Sequence, residues 1–374
     1  MGKYFKRTGF TLIELLAVIL ILGIIALIAI PTVTNIIKES KRGAFKSSVQ
    51  NIISAVETEC QLEQMKGEQL TTTYSFSNGE VDNELNIKGD LPKSGTITVD
   101  SSCNVTVSVS NGEFYVSKAA SSDNVEIFGM KTPVSFAEDS WETIVANVKI
   151  GNLSAYNVGD TKEIALTGFA NEEADSNGLY TIRIANTSTP EECSTEGFSQ
   201  TACGFVIEFQ DIITAHVMNS TSINVGGWKA SELRTYINDT IYNALPDELK
   251  ESIAKTTVVS GHGLTSGEAN FTTTDKVYLL STKEVWGKDG TSNEINHDSA
   301  EEETRQLDYY KNNGVTTSSY SEAIKNLNGS PNYWWLRSAN SGNTSSFCGV
   351  FNDGSWSRND ASNNRGVAPA FRIK

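Results

Sequence analysis

Hydrophobic and polar residues fall into four regimes along the chain. Residues 10–30, FTLIELLAVILILGIIALIAI, form an apolar run whose one charge is Glu14. About 20 apolar residues rising about 1.5 Å each span a hydrocarbon core, so the run predicts a transmembrane helix. The apolar positions then thin to one face. Phe45, Val49, Ile52, Val56 and Cys60 recur at three- and four-residue steps, with Ile53 alongside. This spacing carries the helix on to Lys66, with Gly67 as its stop, about 85 Å for residues 10–66. From 67 to 117 the period becomes two. Ile97 and Val99, then Val105, Val107 and Val109, then Phe114 and Val116 alternate with polar residues, and Asn111-Gly112 marks a tight turn. A small antiparallel sheet over the second half of the helix is expected. Residues 118–137 have weak periodicity with Ser, Gly and Pro, and read as a linker. From 138 onward, short strands (Tyr180–Ala185, Gly204–Phe209, Lys276–Ser281) and two helical stretches (Ala230–Leu245 and Asp247–Lys255, broken at Pro246) are separated by long polar connections. The pattern is α+β, with residues 138–374 forming a loop-rich distal module.

Charge narrows the partners. The 374 residues carry 30 basic and 45 acidic side chains, a net charge of -15, which disfavours a nucleic-acid partner held by phosphate neutralisation. Three His and five Cys are too scattered for a structural zinc module. No metal or cofactor is expected. All six Trp lie beyond residue 137, so the distal module should have its own core. Lys3, Lys6 and Arg7 should hold the amino terminus in the cytoplasm and leave the rest outside, where disulfides persist. Cys193 and Cys203, with nine residues between them, are expected to staple a loop. Cys60 and Cys103 are expected to bridge helix end and sheet turn; two unpaired buried thiols are the alternative.

Glu14 separates the readings of the apolar run. A secretory signal peptide fits poorly, because the run is too long and no small-residue cleavage site follows it. A plain membrane anchor has no use for a carboxylate inside the span. GFTLIELL after a short basic leader resembles the prepilin signature of type IV pilins and of the pseudopilins of secretion and competence systems. The resemblance implies a leader of residues 1–9, cleavage by a prepilin peptidase after Gly9 and N-methylation of Phe10. It also implies that Glu14 neutralises the terminal amine of a neighbouring subunit during assembly, since a charge in a dry site must be paired. Pro31 stands where pilins often carry a helix-loosening proline. The implied partners are the peptidase, other pilin subunits and, before assembly, the membrane. The implied location is a single-pass membrane protein with its C-terminus outside, then an extracellular filament or the cell surface.

The chain ends NYWWLRSANSGNTSSFCGVFNDGSWSRNDASNNRGVAPAFRIK. WWLRSA, a polar stretch containing GSW, and GVAPAFRI resemble the end of the C-type-lectin-like fold in its formylglycine-generating-enzyme-like form. That implies framework roles for Trp335, Leu336, Val367, Ala368, Ala370 and Phe371, and an exposed polar stretch between them. Residues 340–365 contain no Lys, Glu, Gln or Met, types that make up 61 of the 374 residues. Adenine mutation of AAC codons cannot produce those four, so the segment resembles the variable region of a diversity-generating-retroelement protein; an ordinary Asn/Ser/Gly-rich loop is the alternative. On either view Asn340, Ser341, Asn343, Phe347, Cys348, Phe351, Asn352, Ser357, Arg358, Asn359, Asp360, Ser362 and Arg365 are the candidate ligand-binding residues, for an unknown surface protein or glycan. Asn352–Trp356 lacks the spaced carboxylates of an EF-hand, and lectin-type calcium binding there is unsupported.

No nucleophile–base constellation is visible, so the expectation is a non-enzymatic subunit displaying an adhesive head. A head of this size would crowd every position in a filament, which favours a minor or tip subunit. A competence or secretion pseudopilin handling DNA or cargo is the alternative, and an enzyme on the formylglycine-generating-enzyme-like fold is the second.

Overall fold

A single helix, Leu12–Met65, occupies most of the first 65 residues. The computed structural model describes residues 12–373, apart from 69, 83–89, 121, 131, 169–177, 265–268 and 288–296; the side chains of 13–15, 17–32, 34 and 35 also lie outside the description. The described residues form two compact units, divided after residue 131. Among them no helix is long and apolar enough to cross a membrane. Most of the run 10–30, on which the expected span falls, lies outside the described side chains.

In the first unit the helix closes at Gly67, whose φ of +85° ends it in the left-handed region. The amide of Glu68 returns to the Glu63 carbonyl at 3.0 Å, satisfying a carbonyl the helix leaves open. Phe45, Val49, Ile52, Ile53, Val56 and Cys60 are all buried, and pack on Ile97, Val99, Val105, Val107, Val109, Phe114 and Val116. The sheet is antiparallel and six-stranded, in the order Glu80–Val81, Thr72–Ser77, Ser94–Val99, Val105–Ser110, Phe114–Lys118, Glu126–Gly129. Its last strand falls in the stretch read as linker. Ile127 pairs with Val116 and packs against the core, but four residues on an edge are too few for alternation to show. At the expected turn the Asn111 carboxamide accepts the amides of Glu113 and Phe114 at 2.9 and 2.8 Å. A Cys60–Cys103 disulfide joins helix end to sheet turn.

The second unit holds two five-stranded sheets and two hairpins on one continuous core. The first sheet runs Val277–Tyr278, Ala370–Arg372, Val206–Phe209, Leu179–Asn186, Thr161–Ala165. The second runs Thr214–His216, Arg365–Val367, Trp334–Ala339, Ser346–Val350, Trp356–Asp360. Trp335, Leu336, Val367, Ala368, Ala370 and Phe371 are each 0 % exposed. The helix expected over Ala230–Leu245 runs unbroken from Glu232 to Ala244, with a π segment at Ile237–Ile241; Ser231, in extended backbone, caps it and sets it off from the short turn Gly227–Ala230. Asn238 lies in the π segment. Its Nδ2 donates to the Arg234 carbonyl at 3.1 Å, the acceptor its own α-helical N–H would use, and to the Val277 carbonyl at 2.9 Å. The second helix stops at Ser252 rather than Lys255, and the strand expected over Lys276–Ser281 shortens to Val277–Tyr278.

Two buried ion networks bind these elements. Arg337, in WWLRSA, meets Glu284 through two 2.6 Å bonds. Burial pushes the Glu284 carboxyl up, but Arg337 and the hydroxyls of Thr201 and Thr304 outweigh it and hold the group below its ordinary range. Glu208 accepts from Arg183, Lys325 and Tyr310, each at 2.9 Å. Burial lowers the Lys325 ammonium to about 8, against the pull of Glu208. A Cys193–Cys203 disulfide closes the loop before Val206–Phe209.

Candidate functional site

Two regions carry the chemistry expected from the sequence. At the amino terminus, Gly9 and Phe10 lie outside the described residues. Glu14 and Pro31 lie on the helix Leu12–Met65, their side chains outside the description.

The second region is residues 340–365, which the structure divides sharply. Ser346–Val350 is an interior strand of the second sheet, paired on both edges and buried at all five positions. Phe347 and Cys348 are 0 and 1 % exposed. Asn340 is 0 % exposed and bound into the frame, its amide donating to the Ser346 carbonyl at 3.1 Å and its Oδ1 accepting from Gly342 at 2.8 Å. These three are therefore framework and not ligand contacts, a correction to the sequence reading. A strand covered on both faces cannot show the alternation that would reveal it, and Ser, Cys and Gly disguise it as loop. Cys348 is buried and belongs to neither disulfide.

The other candidates surround that strand. Trp356–Asp360 is the edge strand of the sheet; Arg358 and Asp360 are exposed, and Ser357 and Asn359 half-buried. Phe351 is 47 % exposed, with Asn352 beside it on the connecting turn. Gly354 is obligatory there: its φ is +89°, and a Cβ would meet the Tyr320 carbonyl oxygen at 2.1 Å. Asp353 bonds the amide and hydroxyl of Ser355, which hold its carboxyl below the ordinary range. Ser341, Asn343 and Ser362 are half-buried. Asp360 accepts from Ser345 Oγ at 2.9 Å, closing the loop onto the edge strand.

One residue outside the segment fixes its start. Asn224, fully buried, donates through Nδ2 to the carbonyls of Asn340, Asn343 and Ser346 at 2.9, 2.9 and 3.0 Å, and through its amide to the Thr344 carbonyl at 2.9 Å. Nothing in the surrounding TSINVGGW marks this role. Tyr333 was also missed. Its ring lies over Gly349, where a Cβ would come within 2.4 Å of the tyrosine oxygen, and it stacks edgewise on Trp335 and Phe351 at 5.7 and 6.4 Å. Two open cavities of about 470 and 670 Å³ lie elsewhere, with no residue of 340–365 in either wall.

Residues 4–30 match the prokaryotic N-terminal methylation motif. The amino terminus is pilin-like. The chain is also 34% identical over 99 residues to the type IV major fimbrial protein FimA of Dichelobacter nodosus, covering 25% of this chain. It spans about three fifths, 61%, of that relative's length. Beyond the pilin-like end, residues 205–374 match a family described only as a domain of unknown function, DUF6273. That match begins inside the second unit and includes the whole segment 340–365. No solved structure matches the chain.

Proposed function

We propose that the chain is a minor or tip subunit of a pilin-like surface filament, displaying residues 138–374 as a non-enzymatic, ligand-binding head. The observation that carries this reading is the joining of the methylation motif at 4–30 to a separate unit that follows residue 131. Residues 1–9 act as the leader, the peptidase cuts after Gly9, and Phe10 becomes the methylated terminus. Glu14 pairs with a neighbouring subunit's terminal amine. The chain sits in the membrane with its C-terminus outside, then enters the filament. The head resembles a C-type-lectin-like fold, and the accessible positions of 340–365 contact the ligand: Ser341, Asn343, Phe351, Asn352, Ser357, Arg358, Asn359, Asp360, Ser362 and Arg365. Half-exposed polar and aromatic side chains on rigid strands supply adaptable hydrogen bonds and contact area at low entropic cost.

Glu14→Ala and Glu14→Gln are expected to leave the head folded while sharply reducing recovery of the chain in sheared filaments. Normal incorporation of both variants would refute the assembly role. Sequencing the locus across one population tests diversification: changes confined to the accessible positions, with Phe347, Cys348, Gly349 and Gly354 constant, are the expected pattern. An invariant segment would point instead to one fixed ligand.

A further inference from the structure

Of the seven arginines of the second unit four have a carboxylate partner. Arg183, Arg234, Arg305 and Arg337 each pair with a carboxylate: Glu208, Asp275, Asp308 and Glu284. No carboxylate among the described residues pairs with Arg365, and its Nε is buried with no hydrogen-bond partner; Arg372 likewise keeps its Nε buried without a hydrogen-bond partner. The guanidinium lies over the Tyr333 ring, 5.2 Å from the centroid. Tyr333 is itself held by Trp335 on one side and Phe351 on another. The backbone is fixed as well, since Arg365 pairs with His216 in the second sheet. A partly desolvated cation, held over a ring and with no carboxylate partner among the described residues, is costly to keep and is preorganised for a planar anion.

The surroundings narrow that anion. Residues 132–374 carry 18 basic and 31 acidic side chains, a net -13, so a polyanion would be repelled before it arrived. A ligand with one carboxylate pays little of that cost. Phe351, 47 % exposed and in contact with the same tyrosine, offers an apolar face. Ser357 and Asn359 on the edge strand offer hydroxyl and amide partners. We propose that Arg365, seated on Tyr333 beside Phe351, anchors the single carboxylate of a glycan's terminal acidic sugar. Its terminal nitrogens take the carboxylate and Phe351 packs on the sugar's C–H face, while Ser357 and Asn359, three strands along the sheet, bond hydroxyls further along the glycan. This rests on the head being a ligand-binding module.

The test uses the full chain in detergent, with calorimetric titration of a sialic-acid-terminated trisaccharide, the same sugar lacking the acidic residue, a sulfated polysaccharide and a peptide with a free carboxy terminus. The expected result is preference for the acidic trisaccharide. Arg365→Gln should weaken it by about 10- to 100-fold, Arg365→Lys by about 10-fold because the fork is lost, and Phe351→Ala by about 10-fold. Thermal unfolding of Arg365→Gln should match the parent, because the side chain donates no hydrogen bond among the described residues. Equal binding of the acidic sugar by parent and Arg365→Gln would overturn the proposal. So would preference for the peptide, the polyanion or the neutral sugar, although binding of any of these would leave the binding head standing. Failure of all four probes, with no ligand in a wider glycan and protein screen, would remove both readings.

Discussion

Glu284 and Asp298 are both fully buried carboxyls near the WWLRSA strand, and they respond to pH in opposite senses. Glu284 is held below its ordinary range, so its stabilising contribution is present above the unfolded value and is lost as pH falls through the folded one. Removing one partner of such a pair leaves a buried charge uncompensated, so Glu284→Ala should cost about 3–5 kcal/mol, read as a loss of denaturation midpoint. Asp298 is raised, because burial outweighs its hydrogen bonds from Ser338 and the Ala300 amide. Its contribution is present below the unfolded value and is lost as pH rises through the folded one. Asp298→Asn, which mimics the protonated acid, should leave stability at pH 4 within about 1 kcal/mol of the parent and flatten its decline toward pH 8. Denaturant titrations at several pH values check both. Gly354→Ala should cost at least about 2 kcal/mol, because strain and a backbone clash act together.

At the level of elements, legibility followed the number of buried faces. The helix face from Phe45 to Cys60 and the strands from Ile97 to Val116 each bury one side against the other, so their periods of 3.6 and 2 are written in the residues. Ser346–Val350 buries both sides and carries no period, so it was read as exposed loop. The helix over Glu232–Ala244 was legible but its π segment was not, because nothing in the composition marks the bond from the Asn238 side chain to the Arg234 carbonyl. Both disulfides were legible, from compartment and from position. Cys60–Cys103 spans 43 residues and ties the helix end to the sheet, so Cys60→Ser with Cys103→Ser should remove about 4 kcal/mol from the first unit by the chain-entropy relation. Hydrogen exchange at amides 97–116 should accelerate accordingly; unchanged protection would show that packing alone holds the helix end.

Across the whole molecule, charge is unevenly placed. Of the net -15, residues 132–374 carry -13, whereas 340–365 balance two Arg against two Asp. A singly acidic ligand is therefore repelled at range and attracted at contact. Salt screens the first more than the second, so its association rate should rise as ionic strength goes from about 0.01 to about 0.15 M. Capture by a diffuse basic surface would fall instead, and surface-binding kinetics separate the two. The division into a pilin-like end and a distal module was readable from composition, and the boundary after residue 131 falls inside the stretch 118–137 read as linker; the edge strand within that stretch was not readable. Asn224 adds a consequence for engineering. It grips residues 340–346 by four carbonyl and amide bonds and touches none of their side chains through them. Every amino acid offers that same carbonyl. A library randomised at Ser341 and Thr344, with Asn343 and Ser345 kept for their side-chain bonds to the loop amides and to Asp360, would then keep its loop seated, and new specificities could be selected without re-evolving the scaffold beneath.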